Sequence, residues 1–161
     1  MLVAIPKKSW REKLADSKDL PKTGTATGPK SQHWGTGTFV IPAPIEVDAL
    51  MQQVPPGQVV TINELRAALA VRHRVNFACP LTTGIFAWIA AHAAAEAEAA
   101  GDQHITPWWR TLKNGGEINP KYPGGAEAAA GRLRAEGHTI IKKGKRLFVA
   151  EVEMKVFKSL R

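Results

Sequence analysis

Pro107-Trp108-Trp109-Arg110 is the densest group of chemically distinctive side chains in the sequence, and it carries two of the chain's five tryptophans. An indole offers a flat face on which a base can stack, and it fills a core equally well. The pair is therefore either the floor of a site or a hydrophobic plug. The single cysteine, Cys79, stands immediately before Pro80. At the start of a helix the aligned backbone amides favour a thiolate, which makes Cys79 the one candidate nucleophile, against the more common small buried thiol. Glu136 can serve as the charge partner of Arg110, or of Arg132 or Arg134 one turn or less away. The five histidines, His33, His73, His92, His104 and His138, lack metal-ligand spacing. No metal site is expected, and in the absence of a Gly-rich phosphate loop or a serine nucleophile motif no cofactor is expected either.

The elements that would position these groups follow from periodicity and punctuation. Residues 7–15 read as a short helix docked by Trp10, and residues 16–37, rich in Lys, Thr, Gly and Pro, as an extended linker. Lys7, Lys8, Arg11, Lys13, Lys18, Lys22 and Lys30 make this arm basic, for solubility or for phosphate contact. Residues 38–41 read as a strand. Pro44 suits a first helical turn, and Val47, Leu50, Met51 and Val54 then fall on one face until Pro55-Pro56-Gly57. Thr61 and Glu64 fit a capping box for a helix over 62–72, with Ile62, Leu65 and Leu69 inward. After the basic link 72–76, Pro80 opens a second helix with Leu81, Ile85, Trp88 and His92 along one stripe. The two helices form a helix-turn-helix candidate.

Beyond the tryptophan pair, residues 111–119 read as strand, Gly turn and strand, and Pro120 to Gly125 break the chain. A helix over 125–136 stops at Gly137, and strands at 138–141 and 147–152 flank Lys142-Lys143-Gly144-Lys145-Arg146. A cationic hairpin after a helix-turn-helix is what a winged-helix domain supplies, with its tip at phosphates.

Composition bounds the partners. The chain has 161 residues, 44% hydrophobic, which suffices for one domain and its core. Lys and Arg number 22 against 14 acidic residues, a formal net charge of +8 that favours a polyanion, nucleic acid first. One cysteine excludes an intrachain disulfide and fits a reducing, cytoplasmic setting. No apolar run approaches a membrane span, and Leu2 to Ile5 is too short for a signal sequence.

Over residues 45–138 the chain resembles the DNA-binding domain of the O6-alkylguanine-DNA alkyltransferases and their alkyltransferase-like relatives. The residues that carry the resemblance run from Val54 to Thr61, then Gly84, Pro107-Trp108-Trp109-Arg110, Tyr122-Pro123-Gly124-Gly125 and the stretch Arg132 to Gly137. Trp108 occupies the place of the family's nucleophilic Cys, and an indole cannot act as that thiolate. The alkyltransferase-like relatives also carry Trp there but keep a following His, where this chain has Trp109. The family's phosphate-rotating Tyr corresponds to Ile62 and its intercalating Arg to Leu81, an apolar side chain that can still wedge between bases. The segment between Ala90 and Ile105 is longer than the family's.

Together these readings imply an α+β protein: a basic arm over 1–37, then a winged helix-turn-helix domain over 38–161 with a short C-terminal hairpin wing. The expected function is non-catalytic binding of double-stranded DNA, as in the alkyltransferase-like proteins, with recognition of alkylated or otherwise damaged bases and transfer of the lesion to repair proteins. The expected state is a monomer, in the cytoplasm, or on the nucleoid of a bacterium when DNA-bound. Trp108, Trp109, Arg110, Tyr122 and Glu136 are expected to form the pocket. Arg72, Arg74, Lys142, Lys143, Lys145 and Arg146 are expected at phosphates, and Asn76, Leu81, Thr82 and Thr83 at the start of the recognition helix. The alternatives are an enzyme acting on a base through the Trp108/Trp109 pocket with Glu136 as acid or base, and a protein-interaction module that has lost DNA binding.

Overall fold

The computed structural model describes residues 7–29, 31–32 and 36–161; His33, Lys30 and the stretch Leu2 to Ile5 lie outside the described residues. Within them the chain is a mixed α/β fold of six helices with small sheets of three, two and two strands. Its centre is the packing of α2 (Pro44–Met51) on α4 (Pro80–Ala99). Helix α2 begins at a proline whose missing N–H is no loss in a first turn, and Glu46 accepts a hydrogen bond from the Ala43 amide at 2.9 Å. Val47, Leu50 and Met51 are fully buried against Ala87, Ala90, Ala91 and Ala94 of α4. The methyl side chains let the two helix backbones approach closely. Van der Waals contact and apolar burial then supply the cohesion.

This geometry corrects the stripe assigned to α4. Leu81 is 60% exposed and Ile85 40% exposed, whereas the alanine face is buried. Alanine barely registers in a hydrophobic pattern, so the larger residues dominated the sequence reading while the smaller ones made the core.

Helix α3 (Ile62–His73) starts as the capping box requires: the Thr61 hydroxyl accepts from the Asn63 amide at 3.2 Å, and Glu64 accepts from the Thr61 amide at 2.9 Å. Leu65 and Leu69 are fully buried, and Ile62 is half-buried at the edge. The helix ends in the left-handed conformation at Arg74 (φ 56°), after which Phe77–Ala78 forms a short strand.

That strand, β4, pairs parallel with β2 (Gly37–Ile41), and β2 pairs antiparallel with β1 (Lys22–Ala26). The linker reading of residues 16–37 is thus corrected: Lys22-Thr23-Gly24-Thr25-Ala26 is an edge strand. Its pattern was illegible because only Ala26 is buried, so β1 needs no apolar alternation. Helix α1 (Trp10–Ala15) lies against α4, where Glu96 accepts from the amides of Trp10 and Arg11 at 3.1 and 3.3 Å.

Two further pairings place the tryptophan turn. The two-residue strand β5 (Thr111–Leu112) pairs parallel with β3 (Val60–Thr61), which brings residues 108–110 beside the start of α3. The strand expected after the glycine turn does not form. Asn114–Gly116 is a 3-10 turn, and Glu117 makes an isolated bridge to Phe148.

Helix α5 (Gly125–Ala135) is entered through Gly124 at φ 76°, where an added Cβ would lie 2.6 Å from the Ala128 Cβ. It ends in a Schellman pattern: the His138 amide donates to Leu133 and the Gly137 amide to Arg134, at 3.1 and 3.0 Å. The hairpin is β6 (Ile140–Lys143) with β7 (Arg146–Val149), so of the cations expected in a loop Lys142, Lys143 and Arg146 sit at the strand ends and Lys145 in the turn. The strand expected over 147–152 ends at Val149, and Val152 instead opens the short helix α6 (Val152–Lys155).

Replacing Leu50 by Ala should lower stability by about 2–5 kcal/mol, because the tight α2–α4 contact cannot collapse onto the void. Urea unfolding followed by far-UV circular dichroism measures it, and a loss under ~1 kcal/mol would contradict the packing described.

Candidate nucleic-acid interface

The residues gathered around the tryptophan turn are brought together, but as a packed cluster. Trp108 is 2% exposed and Trp109 9% exposed. Their rings meet edge to face with centroids 5.7 Å apart, and Tyr122 packs edge-on to Trp108 at 6.2 Å. Burial drives the Tyr122 phenol pKa well above its ordinary value, so it stays protonated. Arg132 lies over Trp109 at 4.5 Å, tied to Glu98 by a 2.6 Å ion pair.

Beneath the indoles, Arg110 and Glu136 form a forked pair: Arg110 Nε and Nη2 donate to Glu136 at 2.9 and 2.7 Å. Arg110 Nη1 donates to the Val54 carbonyl at 2.7 Å, and Trp109 Nε1 donates to Glu136 at 2.9 Å. Burial pushes the Glu136 pKa up, but the Arg110 and Trp109 hydrogen bonds outweigh it and hold the carboxyl below the ordinary glutamate value. Glu136 is therefore an ionised anchor whose oxygens are engaged, an arrangement for structure rather than for proton transfer. Cys79 is 1% exposed and its carbonyl accepts from the Thr83 amide and hydroxyl at 3.1 and 2.7 Å. Its thiol is enclosed, away from any reacting partner in solvent.

An accessible cleft of about 730 Å³ lies beside the N-terminal half of α4 instead. One wall is Ile62 with Leu81, Gly84, Ile85 and Trp88; the other comes from Lys113, Asn114, Asn119 and Lys121. Glu117 and Arg146 complete it. Glu117 accepts both Arg146 Nε and Nη2, at 3.0 and 2.8 Å. That pairing with Arg146 holds the Glu117 carboxyl below its ordinary pKa despite its burial, and raises the guanidinium in return. Arg146 is thus a strut between the hairpin and the turn after β5. Lys142, Lys143 and Lys145 are exposed on the same hairpin, with Lys143 Nζ 5.0 Å from the Phe148 ring.

The remaining sequence candidates fall in several places. Arg74 is exposed at the C-terminus of α3. Arg72 donates to the Arg161 carbonyl at 2.8 Å and lies 3.8 Å from Glu46. The Asn76 side chain accepts from the Thr38 amide at 2.8 Å, clasping β2 beside β4. Thr83 is fully buried in the core, which corrects its placement at a groove; the Thr82 hydroxyl is also buried. Leu81 is at the exposed start of α4. The sequence reading missed Trp88, Lys113, Asn114, Asn119 and Lys121 as cleft residues. The Asn-Gly-Gly turn was a signal for some of them, and Trp88 was hidden by its assignment to an inward stripe. Among the described residues no cluster of His, Cys, Asp and Glu could hold a metal ion, and no helix is long and apolar enough to cross a membrane.

The fold is similar to that of two solved S. pombe structures. The chain is similar to S. pombe Atl1 in complex with damaged DNA containing O6-carboxymethylguanine, at 16% identity and a TM-score of 0.50. It is also similar to S. pombe ATL in complex with DNA, at 21% identity and a TM-score of 0.52; each comparison covers 71% of this chain and 94% of the other. No protein-family model and no curated protein sequence matches the chain.

Glu136→Ala should cost about 3–5 kcal/mol in urea unfolding at neutral pH, since it leaves Arg110 buried without its counter-charge. The folded carboxyl binds its proton less tightly than the unfolded one. The contribution is therefore complete above the ordinary glutamate pKa of 4.5 and is lost as the pH falls through the lower folded value. The gap between wild type and variant should accordingly narrow towards pH 3, and a constant gap would show that ionisation of Glu136 is not involved.

Proposed function

We propose that this protein binds double-stranded DNA without catalysis and recognises alkylated or otherwise damaged bases, as a prelude to their repair by other proteins. The observation that carries the reading is the separation of the two sites. The position that resembles the transferase nucleophile holds a buried indole, Trp108, while the accessible cleft beside α4 has an apolar wall facing lysines and asparagines. Helices α3 and α4 act as the helix-turn-helix and the β6–β7 hairpin as its wing. Leu81 wedges into a base step, a role its exposure at the start of α4 supports. Lys142, Lys143 and Lys145 supply phosphate contacts, and Arg146 shapes the cleft through Glu117. The formal net charge of +8 supports a polyanionic partner, and the likeness to Atl1 solved with damaged DNA supports the choice of DNA.

Binding to a short duplex should weaken steeply with added salt. Replacing Lys142, Lys143 and Lys145 by Gln should flatten the log–log slope by about 0.9 per lost phosphate contact. Fluorescence anisotropy across a salt series reads both; an unchanged slope removes the wing from the interface, and salt-independent binding rejects the reading. Incubation with a duplex containing O6-methylguanine should leave the protein mass unchanged and the base intact, and a methyl adduct on Cys79 or a repaired base would overturn the non-catalytic assignment.

A further inference from the structure

Leu81, Gly84, Ile85 and Trp88 are spaced i, i+3, i+4 and i+7 along α4, so they share one face of the helix. That face looks outward: Leu81 and Ile85 are exposed, and the four residues line the cleft together. Trp88 is the only aromatic residue of its lining. Between Leu81 and Trp88 the helix carries no side chain at Gly84, and a Cβ built there would meet nothing within 4 Å. Gly84 therefore spares no close contact within the fold. What its missing side chain provides is an open notch one turn before Trp88, in the cleft that both residues line.

Trp88 is held from behind. Its Nε1 donates to the Lys121 carbonyl at 3.1 Å, and its ring packs edge-on against Trp10 at 4.8 Å. His92, stacked on Trp10 at 4.5 Å, also contacts the Lys121 carbonyl at 3.0 Å through Nε2. A ring fixed by two aromatic neighbours and a hydrogen bond has little rotamer freedom left to lose when a ligand settles on it. The indoles of Trp108 and Trp109, by contrast, are enclosed by the core.

We propose that Trp88 is the stacking platform for a nucleobase swung out of the duplex, received in the notch that Gly84 leaves open, with Trp10 and His92 as positioning residues. The proposal rests on the DNA-binding reading above and assigns its specificity to residues outside the tryptophan pair. The ligand is a flat heteroaromatic ring: its face meets the indole, and its edge meets the amides of Asn114 and Asn119 and the ammonium groups of Lys113 and Lys121. A stacking contact tolerates chemical modification of the ring, because every base offers a π-face. The cleft volume of about 730 Å³ leaves space for a base together with a substituent.

The test compares an unmodified duplex with one carrying O6-methylguanine, for the wild type and for Gly84→Leu, Trp88→Ala and Trp88→Phe. Gly84→Leu is the cleaner variant, because Leu is a better helix former than Gly and its Cβ enters open space. It should lower affinity for the modified duplex roughly 10-fold, the order set by loss of one stacked base, and change affinity for the unmodified duplex by less than about twofold. Trp88→Ala should do the same, and Trp88→Phe should restore most of the preference. If the wild type shows no preference for the modified duplex, damage recognition itself fails and the platform with it. If the wild type discriminates and both Gly84→Leu and Trp88→Ala discriminate equally well, the platform is wrong and the DNA-binding reading stands. A parallel loss on both duplexes in Gly84→Leu would place Gly84 in general DNA contact and likewise overturn the notch.

Discussion

The Arg110–Glu136 pair is the constraint on which the arrangement of this molecule turns. One guanidinium fastens the tryptophan turn to the C-terminal end of α5 and, through the Val54 carbonyl, to the chain that leads into β3. The side chains are only 12% and 15% exposed, so the two charges have left most of their water behind. Such a pair gives little net stability over a well-packed apolar substitute, but leaving one charge alone is expensive. Its effect is selective: few alternative packings satisfy the fork, the indole N–H and the backbone carbonyl together. A second carboxylate–guanidinium pair, Glu117 with Arg146, repeats the device between the hairpin and the cleft. The two pairs fix the turn and the hairpin relative to the helices, so the cleft has defined walls.

What could be read from the sequence was what is decided locally. The Thr61–Glu64 box, the prolines at 44 and 80 and the glycine stop at 137 act over a few residues, and the helices begin or end at them within a residue or two. The burial of α4 was not local. Its inward face was chosen by the approach of α2, which favours alanines over the larger Leu81 and Ile85. Strand β1 was hidden for a related reason, since an edge strand with one buried residue carries no apolar rhythm. The tryptophan pair was visible as an unusual cluster, and the motif placed Glu136 beside it. The cleft was not visible, because its far wall comes from a turn whose residues have no periodicity and acquire a common direction only in three dimensions.

Charge tells a similar story. Several cations of the N-terminal segment are matched within the chain: Lys8 with Asp16, Lys22 with Asp19, and Arg11 with Glu96. Lys13 lies over the Trp10 ring at 4.3 Å. Glu96 is 15 residues beyond Leu81 on the same helix, about 22 Å at 1.5 Å per residue. A formula count of basic residues therefore overstates what this segment presents to a phosphate backbone. The two lysines of the cleft line it together with Leu81, and the three lysines of the hairpin are exposed on the same hairpin as Arg146, which is also in that lining.

The burial of Trp108 also limits how this scaffold could change. An exchange of Trp108 for Cys would introduce a thiol at the place the alkyltransferase resemblance assigns to the nucleophile, but it would delete most of a side chain packed against Trp109 and Tyr122. Truncating a buried aromatic costs on the order of 3–5 kcal/mol, a large share of the roughly 5–15 kcal/mol that holds a domain together. The indole is also too deep for its replacement to meet solvent without rearrangement of its neighbours. Any gain of group transfer at this position would have to pass through a weakened fold before new reactivity appeared, so packing, more than chemistry, guards the position.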